Sequence, residues 1–286
     1  MLSLRPTGHA LGAEISGVDL SRDIDEATFQ NIVDALHEHE VVFFRNQSLT
    51  PEQHVAFSRR FGELEEHVRQ DCCLPGYPEI FVVSNVIENG KPIGSQDAGY
   101  FWHSDLCYAE KPSRGSLFYA REVPVKDGEP LGDTIFSSMT KAFATLPEAT
   151  RDKLLGRTAV NSYIHGYSRA RKSGPRKPLT EEQRRKTPDR EHPAVRTHPY
   201  NGKKCLFVNE GYTTRLVGLD EAESASILEG LFEHIQRPEL TYRHKWRVGD
   251  FLIWDNCAVQ HRAVLDYELP LRRRMERTTL TGTVPF

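Results

Sequence analysis

The chain has 286 residues, a formal net charge of −3 and 38% hydrophobic residues. This composition is typical of globular proteins, and the mild charge argues against a nucleic-acid-binding surface. No stretch has the roughly 18 consecutive apolar residues that span a bilayer, and the first residues lack the basic and apolar regions of a secretion signal. The five cysteines form no C-x-x-C pair, which argues against a disulfide framework or a zinc knuckle. We therefore expect a cytoplasmic protein that binds neither nucleic acid nor membrane.

The first part of the chain predicts two helices, each close to a strand. Apolar residues at helical spacing predict a helix over 26–39, and the apolar run 41–44 predicts a buried strand directly after it. A second helix is expected over 51–62, since Thr50 is a suitable N-cap and proline is favoured at the first helical position. Residues 80–86 predict a further strand.

Short strands dominate from residue 101 onward. They are predicted over 115–121, 134–136, 195–198, 206–209, 251–254, 258–264 and 274–281, with two helices near 138–145 and 220–236. Many short strands with turn signals and a few helices favour a barrel or jelly roll decorated by helices. No repeat or low-complexity linker divides the chain, so we expect a mainly β fold and a single domain over 1–286.

The segment 165–190 has a different composition from its surroundings. It is rich in Arg, Lys, Gly, Pro and Ser and has few apolar residues. A solvated surface loop is one interpretation. The other is a lid inserted over a functional site, because long loops in compact domains are often functional.

Three residues supply a possible metal-ligand set. In a strand, residues two apart point to the same face, so His103 and Asp105 can present an imidazole and a carboxylate together. His261 follows an apolar strand that ends in a turn. Two histidines and one carboxylate are the facial triad of non-haem Fe(II) sites, which leaves coordination positions open. Each residue alone is more commonly structural, so the prediction depends on all three converging.

A run of arginines follows His261. Arg273 and Arg277 are four residues apart, so both face the same way in a strand. A guanidinium binds a carboxylate through two parallel hydrogen bonds. One of these arginines can bind a dicarboxylate cosubstrate and the other an anionic substrate. The alternative is a solvated basic edge.

The chain resembles the Fe(II)/2-oxoglutarate-dependent dioxygenases of the taurine dioxygenase type, a group that includes the aryloxyacetate dioxygenases. The resemblance extends over nearly the whole chain. The motifs that carry it lie, in order, at 12–20, 43–47, 57–62, 102–105, 132–134, 254–256 with 260–261, and 272–282. The resemblance implies a double-stranded β-helix (jelly-roll) core, with Fe(II) as cofactor and 2-oxoglutarate and O2 as cosubstrates.

The resemblance also implies a role for each site residue. The metal ligands and catalytic residues are His103, Asp105 and His261; the residues that bind 2-oxoglutarate are Thr134 and Arg273; and the substrate-binding residues are Arg277, His67, Leu106 and Tyr108. Two positions depart from the taurine pattern. Gln70 replaces a tyrosine, and Gly99 replaces an asparagine four residues before the first metal ligand. Taurine is therefore not the expected substrate.

The predicted function is hydroxylation of a small anionic organic substrate, with succinate and CO2 as coproducts. An aromatic or aryloxy carboxylate is favoured, since residues 192–199 and 209–211 are similar to the aryloxyacetate branch. An alkyl sulfonate or sulfate ester is the alternative within the family. Outside it, a non-oxidative jelly-roll metalloenzyme or a small-anion-binding barrel would need no Thr134 and Arg273 pair. A homo-oligomer is possible because relatives commonly self-associate.

Overall fold

The computed structural model describes residues 2–67, 69–96, 99–169 and 178–286 of the chain. Within these ranges the strands are β1 (Ser3–Pro6), β2 (Ala13–Ser16), β3 (Val41–Phe44), β4 (Cys73–Leu74), β5 (Tyr77–Ser84), β6 (Ile87–Glu88), β7 (Lys91–Pro92), β8 (Gly115–Glu122), β9 (Val125–Lys126), β10 (Glu129–Pro130), β11 (Thr134–Ser138), β12 (Thr158–Asn161), β13 (Arg190–Pro193), β14 (Val195–Thr197), β15 (Lys204–Leu206), β16 (Thr213–Leu216), β17 (Thr241–His244), β18 (Phe251–Asp255), β19 (Val259–Ala263) and β20 (Arg274–Leu280).

The helices lie between these strands. The α-helices are α1 (Glu26–His39), α2 (Pro51–Arg59), α3 (Met139–Ala144), α4 (Glu148–Leu154), α5 (Tyr163–Ser168), α6 (Glu181–Lys186) and α7 (Glu221–His234). No helix of the described ranges is both long enough and apolar enough to cross a membrane.

The site lies between elements of two sheets, one with eight strands and one with three. Eight strands form one sheet in the order β1-β2-β3-β18-β8-β20-β5-β4, and β17-β11-β19 form a second. Their pairings are antiparallel except for β2 with β3, which is parallel. The mainly β class that the sequence predicts, with helices around it, is therefore confirmed.

The core follows from the alternation of side chains along β18. Leu252 and Trp254 pack in a cluster with Phe136 of β11 and Val259 of β19, so this cluster joins the two sheets. Phe251 and Ile253, on the opposite face, belong to a cluster that includes residues of α1 and α2. Because successive strand residues point to opposite faces, the sheet is covered on both sides at β18, where four of the five residues are apolar.

Two elements with strong sequence signals have the predicted bounds. Helix α1 and strand β3 agree residue for residue with the prediction. Helix α2 begins as predicted, with Thr50 and Gln53 in a capping box, but it ends at Arg59 rather than at Gly62. The prediction of only two helices after residue 101 is wrong, since α4, α5 and α6 are also present. These helices have six or seven residues and each buries at most one of them, so no apolar period marks them.

The segment 165–190 is only partly a loop. It contains the end of α5 and all of α6, and β13 begins at its last residue. Residues 170–177 of the predicted lid lie outside the described residues.

Candidate active site

His103, Asp105 and His261 converge at one buried point, which we call the cavity cluster. Their ligand atoms lie within 4.8 Å of one another, and each residue is 7% exposed. His261 is on β19, and its backbone exchanges hydrogen bonds of 2.9 and 3.2 Å with that of His103. The prediction that a strand carries His103 and Asp105 is wrong: an isolated bridge joins His103 to His261, and the chain then turns at Leu106, which has a φ of 55°.

Asn256 holds this turn in place. Its Oδ1 accepts a hydrogen bond from the Asp105 N–H at 2.9 Å, and its Nδ2 donates to the carbonyl oxygens of Asp105 and Ser113, both at 2.9 Å. The Ser116 hydroxyl donates to Asp105 Oδ2 at 3.0 Å. Sequence reasoning assigned no role to Asn256 or Ser116, although Asn256 lies in one of the motifs that carry the resemblance.

The geometry of the two histidines fits a metal site. His103 Nδ1 donates to the Phe101 carbonyl at 2.9 Å, and its Nε2 lies 3.6 Å from Asp105 Oδ1. Burial, with the neighbouring His103 and Arg277, lowers the pKa of His261 to about 3, so this imidazole is neutral. Its buried Nδ1 has no hydrogen-bond partner among the described residues. Neutral imidazoles and an ionised carboxylate are the forms that bind a metal ion.

Arg277, on β20, contacts the cavity cluster directly. Its Nη1 lies 3.2 and 3.3 Å from the two oxygens of Asp105. Burial alone would raise the pKa of the Asp105 carboxyl, but Arg277 and the two imidazoles outweigh it and hold that pKa well below its usual value. Sequence reasoning assigned Arg277 to the substrate anion. The structure shows that it also neutralises a carboxylate of the predicted metal site.

Arg273 and Arg277 line the same cavity, together with Thr134, His103 and His261. Arg273 is 3% exposed, and its Nε donates to the Gly132 carbonyl at 3.1 Å. The other arginines of this run each form an ion pair, Arg272 with Glu122 and Glu88, Arg274 with Glu276, and Arg277 with Asp105. Within the part of the chain that the structure describes, Arg273 has no such partner. A buried guanidinium without a carboxylate is costly, so this position favours an anionic ligand.

Thr134, at the start of β11, lies beside Arg273 in the cavity lining and is 6% exposed. Trp246 Nε1 donates to its Oγ1 at 3.0 Å. Because the hydroxyl oxygen accepts this bond, its own hydrogen is free to point to an acceptor in the cavity. Trp246 fixes the direction of that donor, and nothing in the sequence pattern assigned it a role.

His67 lies near Arg277 but is not among the residues that line the cavity. Its ring packs on Phe81 with a centroid distance of 4.0 Å, and the Arg277 guanidinium lies over the same ring. The Arg69 N–H donates to His67 Nδ1 at 3.1 Å, so the proton of a neutral ring is on Nε2. Burial, with the charges of Arg277 and Arg69, lowers the pKa of His67 to about 4 and keeps it neutral.

An aromatic patch made of Phe101, Tyr108, Tyr163 and Tyr212 adjoins the cavity cluster. The Tyr108 ring lies 4.9 Å from that of Tyr163 and 4.8 Å from that of Tyr212, and the Tyr212 ring lies 6.4 Å from that of His103. Burial raises the pKa of both Tyr108 and Tyr212, so their phenols are neutral. Sequence reasoning found Tyr108 but missed Tyr163 of α5 and Tyr212, which follows the motif at 209–211.

A second group, which we call the closed cluster, contains His198, Asp255 and Cys257. Its ligand atoms also lie within 4.8 Å of one another. His198 Nε2 donates to Asp255 Oδ2 at 2.8 Å, and the Cys257 N–H donates to Asp255 Oδ1 at 2.9 Å. Burial raises the pKa of the Cys257 thiol to about 12. Because its groups bond to one another and its thiol is protonated, this cluster is suited to structure rather than to metal binding.

The fold and the cavity cluster together define a class. A mainly β protein with two buried histidines and one buried carboxylate beside an arginine-lined cavity has the donor set of the non-haem iron oxygenases.

Comparison with known proteins identifies the family. Residues 3–279 match the family described as "Taurine catabolism dioxygenase TauD, TfdA family". An alkylsulfatase of Acinetobacter baylyi is 33% identical and covers 99% of this chain and 86% of its own length. An alpha-ketoglutarate-dependent 2,4-dichlorophenoxyacetate dioxygenase of Cupriavidus pinatubonensis is 33% identical over 96% of each chain. The crystal structure of a taurine dioxygenase from Burkholderia xenovorans has a TM-score of 0.82 at 33% identity, covering 99% of this chain and 90% of that one.

The chain therefore belongs to the TauD/TfdA family. The resemblance in the sequence motifs is confirmed, and so is the enzyme class, an Fe(II)- and 2-oxoglutarate-dependent dioxygenase. The two non-oxidative alternatives, a jelly-roll metalloenzyme and a small-anion-binding barrel, lose their support.

Proposed function

We propose that this dioxygenase hydroxylates a small aromatic or aryloxy carboxylate, using an iron ion held by His103, Asp105 and His261. The observation that carries the metal assignment is the cavity cluster itself: two imidazoles, of which that of His261 is neutral, and an ionised carboxylate, all buried, within 4.8 Å of one another. We also propose that the two main sheets are the halves of a double-stranded β-helix, in a single domain over 1–286. The predicted cytoplasmic location and homo-oligomer stay predictions.

Arg273 and Thr134 are the proposed partners of 2-oxoglutarate. Arg273 is buried, lines the cavity and has no carboxylate partner among the described residues, so it can bind the distal carboxylate of a dicarboxylic acid. Thr134 can donate a hydrogen bond to the same ligand. Its oxygen already accepts a bond from Trp246 Nε1, so its own hydrogen can point to the ligand. When bound, iron supplies the oxidation: 2-oxoglutarate and O2 are converted to succinate and CO2 while the substrate is hydroxylated.

Arg277 and His67 are the proposed anchors for the anionic group of the substrate. The Nη1 group of Arg277 donates a hydrogen bond to Asp105, while its buried Nε has no hydrogen-bond partner within the described ranges. His67 carries its proton on Nε2 and lies over the same Phe81 ring as Arg277. A carboxylate held by these two groups would lie near the cavity cluster without displacing its ligands.

The aromatic patch is the proposed surface for the body of the substrate. Its rings already pack with one another and with His103. An aryl ring gains contact area and favourable ring geometry on such a surface, whereas a short alkyl chain gains less. Leu106 lies in the turn that follows Asp105 and would line the same side of the site as the aromatic patch. Helix α5 contributes Tyr163 to the patch, and the predicted lid segment begins on that helix.

A sulfate ester or alkyl sulfonate is the second candidate substrate class. The relative from Acinetobacter baylyi is an alkylsulfatase, and an alpha-ketoglutarate-dependent sulfate ester dioxygenase of Pseudomonas putida covers 99% of this chain. A guanidinium such as that of Arg277 can donate hydrogen bonds to the oxygens of a sulfate as well as to those of a carboxylate. The two classes therefore differ in the body of the substrate rather than in its anionic group.

Succinate formation with a substrate panel tests the proposal. The panel contains phenoxyacetate, an aryl carboxylate, hexyl sulfate and taurine, each assayed with Fe(II), 2-oxoglutarate and O2. We expect the aromatic carboxylates to have the highest kcat/KM. A preference for hexyl sulfate would establish the second class, and succinate formation that no member of the panel stimulates would contradict both.

A further inference from the structure

Two glycines each lie against one functional side chain of the active site. Gly99 has a φ of +69°, and a Cβ added there would lie 2.7 Å from Cε1 and 3.3 Å from Nε2 of His103. Gly132 has a φ of +73°, and its Cβ would lie 2.7 Å from both Cδ and Nε of Arg273. Neither residue can therefore carry a side chain unless the imidazole or the guanidinium moves.

The backbone of Gly99 is also fixed from the other side. Its carbonyl accepts a hydrogen bond from the N–H of Ala263 at 2.7 Å, and Ala263 lies two residues after His261 on β19. His103 is in turn held by its Nδ1 bond to Phe101. The Gly99 peptide thus lies against the ring of one proposed metal ligand and is bonded to the strand of the other.

Gly132 has the same relation to Arg273. Its carbonyl accepts the Arg273 Nε hydrogen bond at 3.1 Å, and its N–H donates to Asp266 Oδ1 at 2.7 Å. A Cβ at Gly132 would also lie 2.9 Å from Cε1 of Tyr267, and the Arg273 guanidinium lies 5.7 Å from the centroid of that ring. The glycine both accepts from the guanidinium and limits where it can lie.

We propose that Gly99 and Gly132 are positioning residues: Gly99 sets the direction of the His103 imidazole toward the metal, and Gly132 sets the Arg273 guanidinium toward 2-oxoglutarate. The proposal rests on the functions proposed for His103 and Arg273. Partners that orient a metal ligand typically change metal affinity by roughly 10- to 100-fold when they are altered. The two glycines should act on different ligands, because each contacts only one of the two functional side chains.

Gly128 provides the matched control. It has a φ of +83°, in the turn between β9 and β10, and a Cβ added there would meet no atom within 4 Å. An alanine at Gly128 therefore adds the same unfavourable backbone conformation without touching the active site. Any difference between Gly128→Ala and the other two variants reports the contact, not the backbone strain.

The experiment measures two dissociation constants and the thermal midpoint of the metal-free full chain. Mn(II) binding is followed by electron paramagnetic resonance, and 2-oxoglutarate binding by calorimetry at saturating Mn(II). We expect Gly99→Ala to weaken Mn(II) binding by about tenfold or more. Gly132→Ala should weaken 2-oxoglutarate binding by about tenfold or more but leave Mn(II) binding within about twofold, since a misplaced group affects only the ligand that it holds. Gly128→Ala should change neither constant.

Three results would overturn the inference. Gly99→Ala with unchanged Mn(II) affinity contradicts it, as does Gly132→Ala with unchanged 2-oxoglutarate affinity. A Gly99→Ala or Gly132→Ala chain that loses the fold while Gly128→Ala keeps it also contradicts the inference, because the glycine would then serve the scaffold. Asp105→Asn separates this failure from that of the proposed function: if it too leaves Mn(II) binding unchanged, the metal assignment itself is wrong.

Discussion

The cavity cluster of His103, Asp105 and His261 and the closed cluster of His198, Asp255 and Cys257 both bring three ligating side chains within 4.8 Å of one another. All six side chains are buried. Burial alone would raise the pKa of both aspartates. Arg277 and the two imidazoles lower the pKa of Asp105, and the His198 hydrogen bond lowers that of Asp255, so both carboxyls are ionised. Proximity, burial and an ionised aspartate therefore do not separate the two.

Hydrogen bonding and access to a cavity do separate them. In the closed cluster both Asp255 oxygens accept bonds from within the cluster, and His198 Nδ1 accepts from the N–H groups of Tyr200 and Asn201. In the cavity cluster His103 Nε2 and His261 border a cavity that Arg273 also lines. A buried group whose partners are all present holds a fold together, whereas one with unused lone pairs can bind a ligand.

The largest expected effect follows from replacing Asp105 by an isosteric amide. Asp105→Asn should lower succinate formation by at least about a thousandfold, equal to roughly 4 kcal/mol of activation free energy. The reason is that the amide supplies no anionic ligand while the fold keeps its Ser116 and Asn256 contacts. Steady-state assays and far-ultraviolet circular dichroism check this. Succinate formation that stays within tenfold of the wild type would contradict the assignment of Asp105.

Arg273→Ala is expected to have the next largest effect. It should raise the KM for 2-oxoglutarate about 10- to 100-fold, since hydrogen bonds to charged groups contribute roughly 1.5–3 kcal/mol. The matched control is Arg272→Ala, which removes the preceding guanidinium of the same run, half-exposed and paired with Glu122 and Glu88. Arg272→Ala should leave this KM unchanged. Equal effects of the two variants would show that the run acts only through its overall charge.

Arg277→Ala tests the division between the two arginines of the cavity. It should lower kcat/KM for the anionic substrate about tenfold or more and change the KM for 2-oxoglutarate less, because the guanidinium faces Asp105 and Phe81. Initial rates with each substrate varied in turn provide the measurement. If Arg277→Ala and Arg273→Ala damage both constants equally, the two arginines do not have separate ligands.

The closed cluster should respond in stability rather than in metal binding. Asp255→Asn should lower the free energy of unfolding by about 1–3 kcal/mol, because one amide cannot accept both the His198 and the Cys257 hydrogen bonds. Mn(II) affinity should stay at the wild-type value. Urea denaturation and equilibrium metal binding are the two measurements, and a loss of metal affinity would show that the closed cluster also serves the metal.

The smallest expected effect is on the acid side of the stability profile. Because the pKa of Asp255 is lower in the folded chain than its unfolded value of about 3.9, its contribution is complete above pH 4 and is lost as the pH falls further. The metal-free wild type should therefore lose stability below about pH 4 more steeply than Asp255→Asn. Parallel curves from urea denaturation would show that the His198 pair does not stabilise the ionised carboxylate.

Much of the scaffold could be predicted from the sequence because its signals are local. The apolar period of α1, the apolar run of β3 and the cap at Thr50 each act within a few residues. The short helices α4 to α6 could not be predicted, because each buries at most one residue and so shows no apolar period. Their positions depend on packing against distant parts of the chain.

The candidate site was predictable in its residue types but not in its geometry. The motif at 102–105 identified His103 and Asp105, yet their convergence depends on a bridge to His261 and on Asn256, more than 150 residues away. No pattern along the chain indicates that Arg277 bonds Asp105. Nor could spacing show that His198 and Asp255 satisfy each other, although their types resemble those of a metal site.

The assignment of the metal to the cavity cluster is tested most directly by one anaerobic titration. Fe(II) is added with 2-oxoglutarate to the wild type, Asp105→Asn and Asp255→Asn, and the weak visible charge-transfer absorption of the complex is recorded. We predict this absorption for the wild type and Asp255→Asn, and its loss in Asp105→Asn. An undiminished band in Asp105→Asn, or a band that disappears only in Asp255→Asn, would contradict the account.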